Sequence, residues 1–205
     1  LVPAIFQPYA AILAERVLLA EPQDVLETAC GTGVLTQMLA SDLPATVSIV
    51  ATDLNQPMLD HAANKVYRKP IAWRQADAQA LPFEDGSFDV VVCQFGAMFF
   101  PNRVQAYNEA RRVLRPGGQF LMAVWDRIAE NEFSDVVTQA LAEIFPDDPP
   151  RFMVRVPHGY YDRDRIRQEL AAAGFSPIAM EAVEQMGRAA SPNAIPAEVV
   201  ATCGS

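Results

Sequence analysis

Hydrophobic and polar positions change period repeatedly along this chain, and each change marks an element. Residues 4–19 place Ile5, Tyr9, Ile12, Leu13 and Val17 at helical spacing, ended by Glu21 and Pro22. Residues 24–28 form a short apolar run that predicts a strand. A tight turn on Gly31 and Gly33 follows, then a helical pattern over 35–43. The β-branched run 46–52 predicts a second strand, 56–65 a helix and 71–75 a third strand. Residues 88–93, almost wholly apolar, predict a fourth strand buried on both faces. Asn102 and Gln105 form a capping box for a helix over 103–114, closed by a type II turn at 115–118. A fifth strand is expected over 119–125 and an amphipathic helix over 131–145. Residues 146–161 are irregular and rich in Pro, Arg and aromatics, the composition of a lid or substrate loop. Asp162 caps a helix to residue 173, Gly174 stops it, and 175–183 predict a sixth strand. The piece 191–203 reads either as a closing strand or as a helix beginning after Pro196.

Strands alternating with helices predict an open α/β sheet. Its first strand-to-helix turn sits where such a sheet makes a cofactor cleft. Glycine suits this turn because it demands positive φ and lets a ligand approach bare backbone. Two ligand classes compete. A dinucleotide wants a third glycine three residues past Gly33, and that place holds Thr36. Glu27, just before the turn, suits an ammonium or sulfonium group better than a pyrophosphate. Asp53 lies about 20 residues past Gly33, the spacing at which a carboxylate meets ribose hydroxyls, whichever adenosine cofactor is bound. Leu54 and Met58 stand where apolar side chains could cover an adenine face, or could equally be core. A strand-to-helix turn without ligand, an N-cap role for Asp53 and an Asx-turn at Asp77 remain the structural alternatives.

Composition narrows the class. The 205 residues, 51% hydrophobic, carry enough core for one domain spanning 1–205. A net charge of −9 weighs against a nucleic-acid backbone as partner. No apolar run reaches membrane-spanning length, and the first 20 residues lack the pattern of a signal peptide. Three cysteines without a disulfide framework point to a reducing cytoplasm. Cys30 and Cys93 both end strands near the cleft floor, as small apolar fillers. No Cys/His cluster has metal-ligand spacing, so no metal is expected. The chain begins at Leu1 and ends abruptly, which leads us to expect trimming at both termini. His61 belongs to the surface. His158, Tyr160, Tyr161, Arg151 and Arg155 gather in the 146–161 loop, and none of them is assigned as a catalytic base.

The run Glu27-x-Ala29-x-Gly31-x-Gly33 resembles motif I of the class I S-adenosylmethionine-dependent methyltransferases, with Ala29 in place of a glycine. Residues 76–83, Ala-Asp-Ala-Gln-Ala-Leu-Pro-Phe, resemble a segment of the ubiquinone/menaquinone C-methyltransferase-like (methyltransferase type 11) group, as does the run 109–120. The resemblance covers about residues 25–183. It implies a Rossmann-like doubly wound sheet of order 3-2-1-4-5-7-6, whose antiparallel seventh strand cannot be found here. It implies S-adenosylmethionine held by Glu27, Ala29, Cys30, Gly31, Gly33, Asp53, Leu54, Met58, Asp77, Ala78 and Gln94. In that family Asp77 meets the adenine amino group and the Ala78 amide a ring nitrogen, while the loop 94–101 borders the methionine half. The implied reaction is methyl transfer to a small acceptor. The apolar set Phe95, Met98, Phe99, Phe100, Phe152 and Met153 suits a partly apolar one. An activated donor asks mainly for orientation, so no catalytic residue is named. An NAD-dependent oxidoreductase of related fold, disfavoured by Thr36 and by Asp77-Ala78, and a non-catalytic cofactor-binding regulator are the alternatives.

Overall fold

Val25, Leu26, Val90, Val91 and Val92 are wholly buried on successive positions, because both faces of the sheet that holds them are covered by helices. The computed structural model describes residues 2–185. Five strands run parallel in the order β3-β2-β1-β4-β5: β1 Asp24–Glu27, β2 Ser48–Asp53, β3 Ala72–Gln75, β4 Phe88–Gln94 and β5 Leu114–Ala123. The helices are α1 Val2–Leu19, α2 Val34–Asp42, α3 Gln56–Ala63, α4 Arg103–Val113, α5 Glu132–Ile144, α6 Phe152–Arg155 and α7 Arg163–Ala172.

Alternate residues of each strand go to opposite layers. Val25, Ile49, Val90 and Val92 pack with Leu13 and Val17 of α1 and Leu35 and Leu39 of α2. Leu26 and Val91 face Ala110 and Val113 of α4, while Cys93 joins Tyr107, Ile166 and Leu170. Strand order turns back between β1 and β4, so the cleft lies at their carboxyl ends. At the opposite ends Arg115 reaches Asp24 and Asp89 at 2.8 Å each, tying the starts of β1 and β4 together.

The expected elements are found, with three differences. The Pro116-Gly117 turn does not close α4 from outside the sheet. Gly117 has φ 84, and the turn bulges within β5 between the pairs Phe88↔Leu114 and Val90↔Gln119. Residues 175–183 form no strand. Phe175, Ile178 and Met180 still partly bury side chains against the second layer, with Phe175 stacked on Phe120 of β5 at 5.4 Å, but no strand pairs with β5 on that side among the described residues. The sixth and seventh positions of the expected order are therefore not seen among the described residues. The capping box is only half formed. Asn102 accepts from the Gln105 amide at 3.1 Å, but its own amide donates to Gln79 Oε1 at 2.9 Å. Residues 191–203 lie outside the described residues.

Candidate active site

The turn after β1 is built from three left-handed residues, Ala29 (φ 53), Gly31 (φ 54) and Gly33 (φ 76). Two bonds fasten it to the end of β2: Cys30 N–H to the Thr52 carbonyl at 2.9 Å, and Gly31 N–H to Asp53 Oδ2 at 2.8 Å. Asp53 Oδ1 accepts from the Asn55 amide at 2.8 Å, so Asp53 does not cap α3, whose N-cap is Asn55. The Ala76 amide bonds the Asp53 carbonyl at 3.0 Å and carries the chain from β3 to Asp77 beside it. Glu27, Ala29, Cys30, Gly31, Gly33 and Asp53 are thus brought together, with Asp77 and Ala78 next to them.

Glu27 is buried to 1% exposure. Thr36, wholly buried on α2, donates to its Oε2 at 2.6 Å. Loss of hydration, reinforced by the Asp53 charge and opposed by the Thr36 bond, pushes the Glu27 carboxyl from 4.5 up to about 8. The Thr36 that spoils the dinucleotide pattern is therefore the hydroxyl that this buried acid needs, and a glycine there would leave it unpartnered. Sequence reading missed that role.

Asp77 makes the Asx-turn: its Oδ1 accepts from the Gln79 amide at 2.8 Å. The Ala78 N–H bonds no other described residue. The loop is pinned from below by a clamp that its sequence did not reveal. Glu109 accepts from the Leu81 amide at 2.7 Å, and Arg112 donates to the carbonyls of Leu81 at 2.9 Å and Phe83 at 2.7 Å. The Glu-x-x-Arg spacing on α4 was the available signal, since it sets both side chains on one helix face. Arg112→Ala is expected to cost about 1.5–3 kcal/mol by orphaning these acceptors. A thermal melt measures that loss.

Leu54 and Met58 are 65% and 40% exposed, so neither is core. Gln94 is held by α1, its Nε2 donating to the Phe6 carbonyl at 2.9 Å. The chain then bends sharply at Phe95 (φ 54), and Gly96 passes beneath the glycine turn. A Cβ on Gly96 would lie 2.4 Å from the Ala29 Cβ, so the methyl that departs from motif I is accommodated here. The apolar set divides. Phe95 and Met98 are buried, whereas Phe99 (51% exposed) and Phe152 (53%) face each other with ring centroids 6.5 Å apart. Phe95 stacks on Trp125 at 3.9 Å, and Phe6 and Tyr9 meet both edge-on. His61 is exposed, while His158 and Tyr160, on the loop between α6 and α7, are buried. Among the described residues no cluster of His, Cys, Asp or Glu is grouped to hold a metal, and no helix is long and apolar enough to cross a membrane.

The cleft fits an adenosine ligand with a cationic amino-acid end. A Cβ on Gly31 would meet nothing within 4 Å, so open space borders the bare backbone there. The acceptor set around it is three acidic side chains: the Asp53 and Asp77 carboxylates repel a pyrophosphate, and all three can accept from ammonium, hydroxyl and amino donors.

A family described as a methyltransferase domain matches residues 26–122. The chain is 38% identical over 110 residues to a demethylmenaquinone methyltransferase of Lactiplantibacillus plantarum, covering 52% of this chain and 46% of that protein. It thus spans about half the length of that curated relative. A demethylmenaquinone methyltransferase of Thermus thermophilus is 31% identical over 166 residues, 76% of this chain and 75% of its own length. The fold matches a solved S-adenosylmethionine-dependent methyltransferase of Thermotoga maritima, a possible histamine N-methyltransferase, with a TM-score of 0.61 at 20% identity. That match covers 86% of this chain and 74% of the other. The chain belongs to the class I S-adenosylmethionine-dependent methyltransferases, in their ubiquinone/menaquinone C-methyltransferase-like group, and its cofactor is S-adenosylmethionine.

Proposed function

We propose that the protein transfers the methyl group of S-adenosylmethionine to a small, partly apolar acceptor. The observation that carries this reading is the placement of Glu27, Asp53 and Asp77 around a glycine turn that borders open space. Bound there, the cofactor supplies a methyl group on a cationic sulfur, already activated for in-line displacement. The protein's own groups bind and orient. Glu27 meets the ammonium group, and ionises as it does so. Asp53 accepts from the ribose hydroxyls with the lone pairs that Gly31 and Asn55 leave free. Asp77 and the Ala78 amide take the adenine edge, and Leu54 and Met58 cover its face. Ala29, Cys30, Gly31, Gly33 and Gln94 border the amino-acid half.

On the acceptor side, Phe99 and Phe152 offer the exposed apolar surface, the second of them from the segment 146–161, which acts as a lid. The demethylmenaquinone methylated by the named relatives is an acceptor of this partly apolar kind. We read residues 1–205 as one domain working in the cytoplasm, without a nucleic-acid partner. The competing oxidoreductase would need a dinucleotide where three carboxylates stand, and the named relatives speak against a silent cofactor binder.

S-adenosylhomocysteine at about 100 times its Kd is expected to stabilise the fold by roughly 2.7 kcal/mol in a thermal-shift assay, and NAD not at all. A shift with NAD alone would reverse the cofactor. Asp53→Ala should lower S-adenosylhomocysteine affinity by about 1.5–3 kcal/mol. Affinity equal to wild type would mean that Asp53 serves only to fasten Gly31.

A further inference from the structure

Gln79 has no part in the binding scheme above. We infer that it is a positioning residue for the cofactor: its side-chain amide turns the Asp77 carboxylate so that Oδ2 meets the adenine amino group. This rests on the adenine role given to Asp77 and adds the group that aims it.

A carboxylate does not aim itself. The torsion about its last bond is broad and soft, and Asp77 is only half-buried. Two donors remove that freedom, and both belong to Gln79. Its backbone N–H reaches Oδ1 at 2.8 Å. Its side-chain Nε2 straddles the carboxylate, 3.2 Å from Oδ1 and 3.4 Å from Oδ2. Oδ1 therefore has two donors, while Oδ2 has this one long contact and no other among the described residues. Oδ2 is the oxygen left for a ligand. A carboxylate fixed in this way gives up little freedom when the ligand binds.

The amide is turned in its own right by a distant segment. Gln79 Oε1 accepts from the Asn102 backbone N–H at 2.9 Å. A backbone N–H only donates, so the atom facing it is the oxygen, and the nitrogen faces Asp77. The reversed amide would set two donors against each other at Asn102 and two acceptors against each other at Asp77.

The frame behind Gln79 is α4. Asn102 is the N-cap of that helix, and Gln105 in its first turn donates through Nε2 to the Gln79 carbonyl at 3.3 Å. Glu109 of the same helix accepts from the Leu81 amide. On the other side the Ala76 amide is bonded to the Asp53 carbonyl at 3.0 Å. Asp77 thus stands between an anchor on β2 and anchors on α4, and Gln79 is the one whose side chain touches its carboxylate.

The test compares two ligands by calorimetry on the whole chain. One is S-adenosylhomocysteine. The other is its purine analogue, which has hydrogen in place of the adenine amino group. The wild type is expected to prefer S-adenosylhomocysteine at least about tenfold, as one hydrogen bond to a charged group requires. Gln79→Met keeps the length of the side chain and removes both of its polar ends. Asn102 is exposed and Asp77 half-buried, so water replaces the lost partners and the variant is expected to fold. It should shrink the preference at least about threefold by weakening S-adenosylhomocysteine alone, with the purine analogue bound within about twofold of wild type. A residue that only braced the loop would weaken both ligands alike. That result would overturn the inference, and so would an unchanged preference. In an Asp77→Ala background Gln79→Met should change neither affinity, and additive losses in this cycle would also overturn it. Asp77→Ala with the full wild-type preference would instead remove Asp77 from the adenine, and the inference with it. A wild type that binds neither ligand would bring down the cofactor site as a whole.

Discussion

Glu27→Gln is expected to make the unliganded protein more stable than wild type at pH 8 and no different at pH 4, below both carboxyl values. The Glu27 carboxyl is raised from 4.5 to about 8, chiefly because burial strips the carboxylate of water. Between those values the folded state binds a proton that the unfolded chain has released. Stability of the wild type therefore falls as pH rises through that window. Glutamine keeps an acceptor oxygen for the Thr36 hydroxyl and has no proton to lose. Each tenfold rise in the carboxylate's proton affinity corresponds to about 1.4 kcal/mol, so the gain at pH 8 should be on the order of 2–4 kcal/mol. Cofactor affinity should move the opposite way. A neutral amide cannot meet an ammonium group as a carboxylate does, and S-adenosylhomocysteine should bind about ten- to a hundredfold more weakly. Denaturant titrations at the two pH values and calorimetry at pH 8 measure both effects. Equal stability of the two proteins at pH 8 would show that Glu27 is ionised in its pocket. An unchanged affinity would remove it from the cofactor site.

Gly96→Ala is expected to destabilise the fold by about 2–3 kcal/mol, the upper range for forcing a methyl into a packed interior. The added carbon would sit 2.4 Å from the Ala29 Cβ and 2.9 Å from Cys93 Sγ. Neither is the end of a long side chain that can swing away. Ala29 is anchored in the glycine turn and Cys93 in β4, so the strain passes into the turn that carries Gly31. Cofactor affinity should fall as well as stability. The double variant Ala29→Gly/Gly96→Ala removes the opposing methyl and should recover part of both losses. Additive losses in that double-mutant cycle would show that the two positions do not press on each other.

Sequence alone was strong wherever one residue type carries a local demand. Apolar runs of strand length, positive-φ glycines and the Asp162 cap depend on neighbours within a few positions, and these elements lie where periodicity placed them. The spacing of Gly31, Gly33 and Asp53 also sufficed, because a strand-turn-helix unit with a parallel neighbour returns the chain to the same edge of the sheet. The sixth strand at 175–183 shows where such reasoning stops. Phe175, Ile178 and Met180 of that stretch are partly buried, but a strand exists only if a partner edge is within hydrogen-bonding reach.

Local pattern determined the sheet, the glycine turn and the family resemblance. Only the tertiary structure decided which residues serve them. Thr36 as the partner of Glu27, Gly96 as the room for Ala29, and Glu109 with Arg112 as the clamp on Leu81 and Phe83 are contacts between segments far apart in the chain. The same holds for His158, whose Nδ1 meets the Asp126 carbonyl, three residues past the end of β5, at 2.8 Å. The physical reason is common to all four. A buried carboxyl, an overfilled corner, an orphaned amide and a ring nitrogen are each resolved by whichever group packing brings within about 3 Å, and linear spacing does not encode that distance.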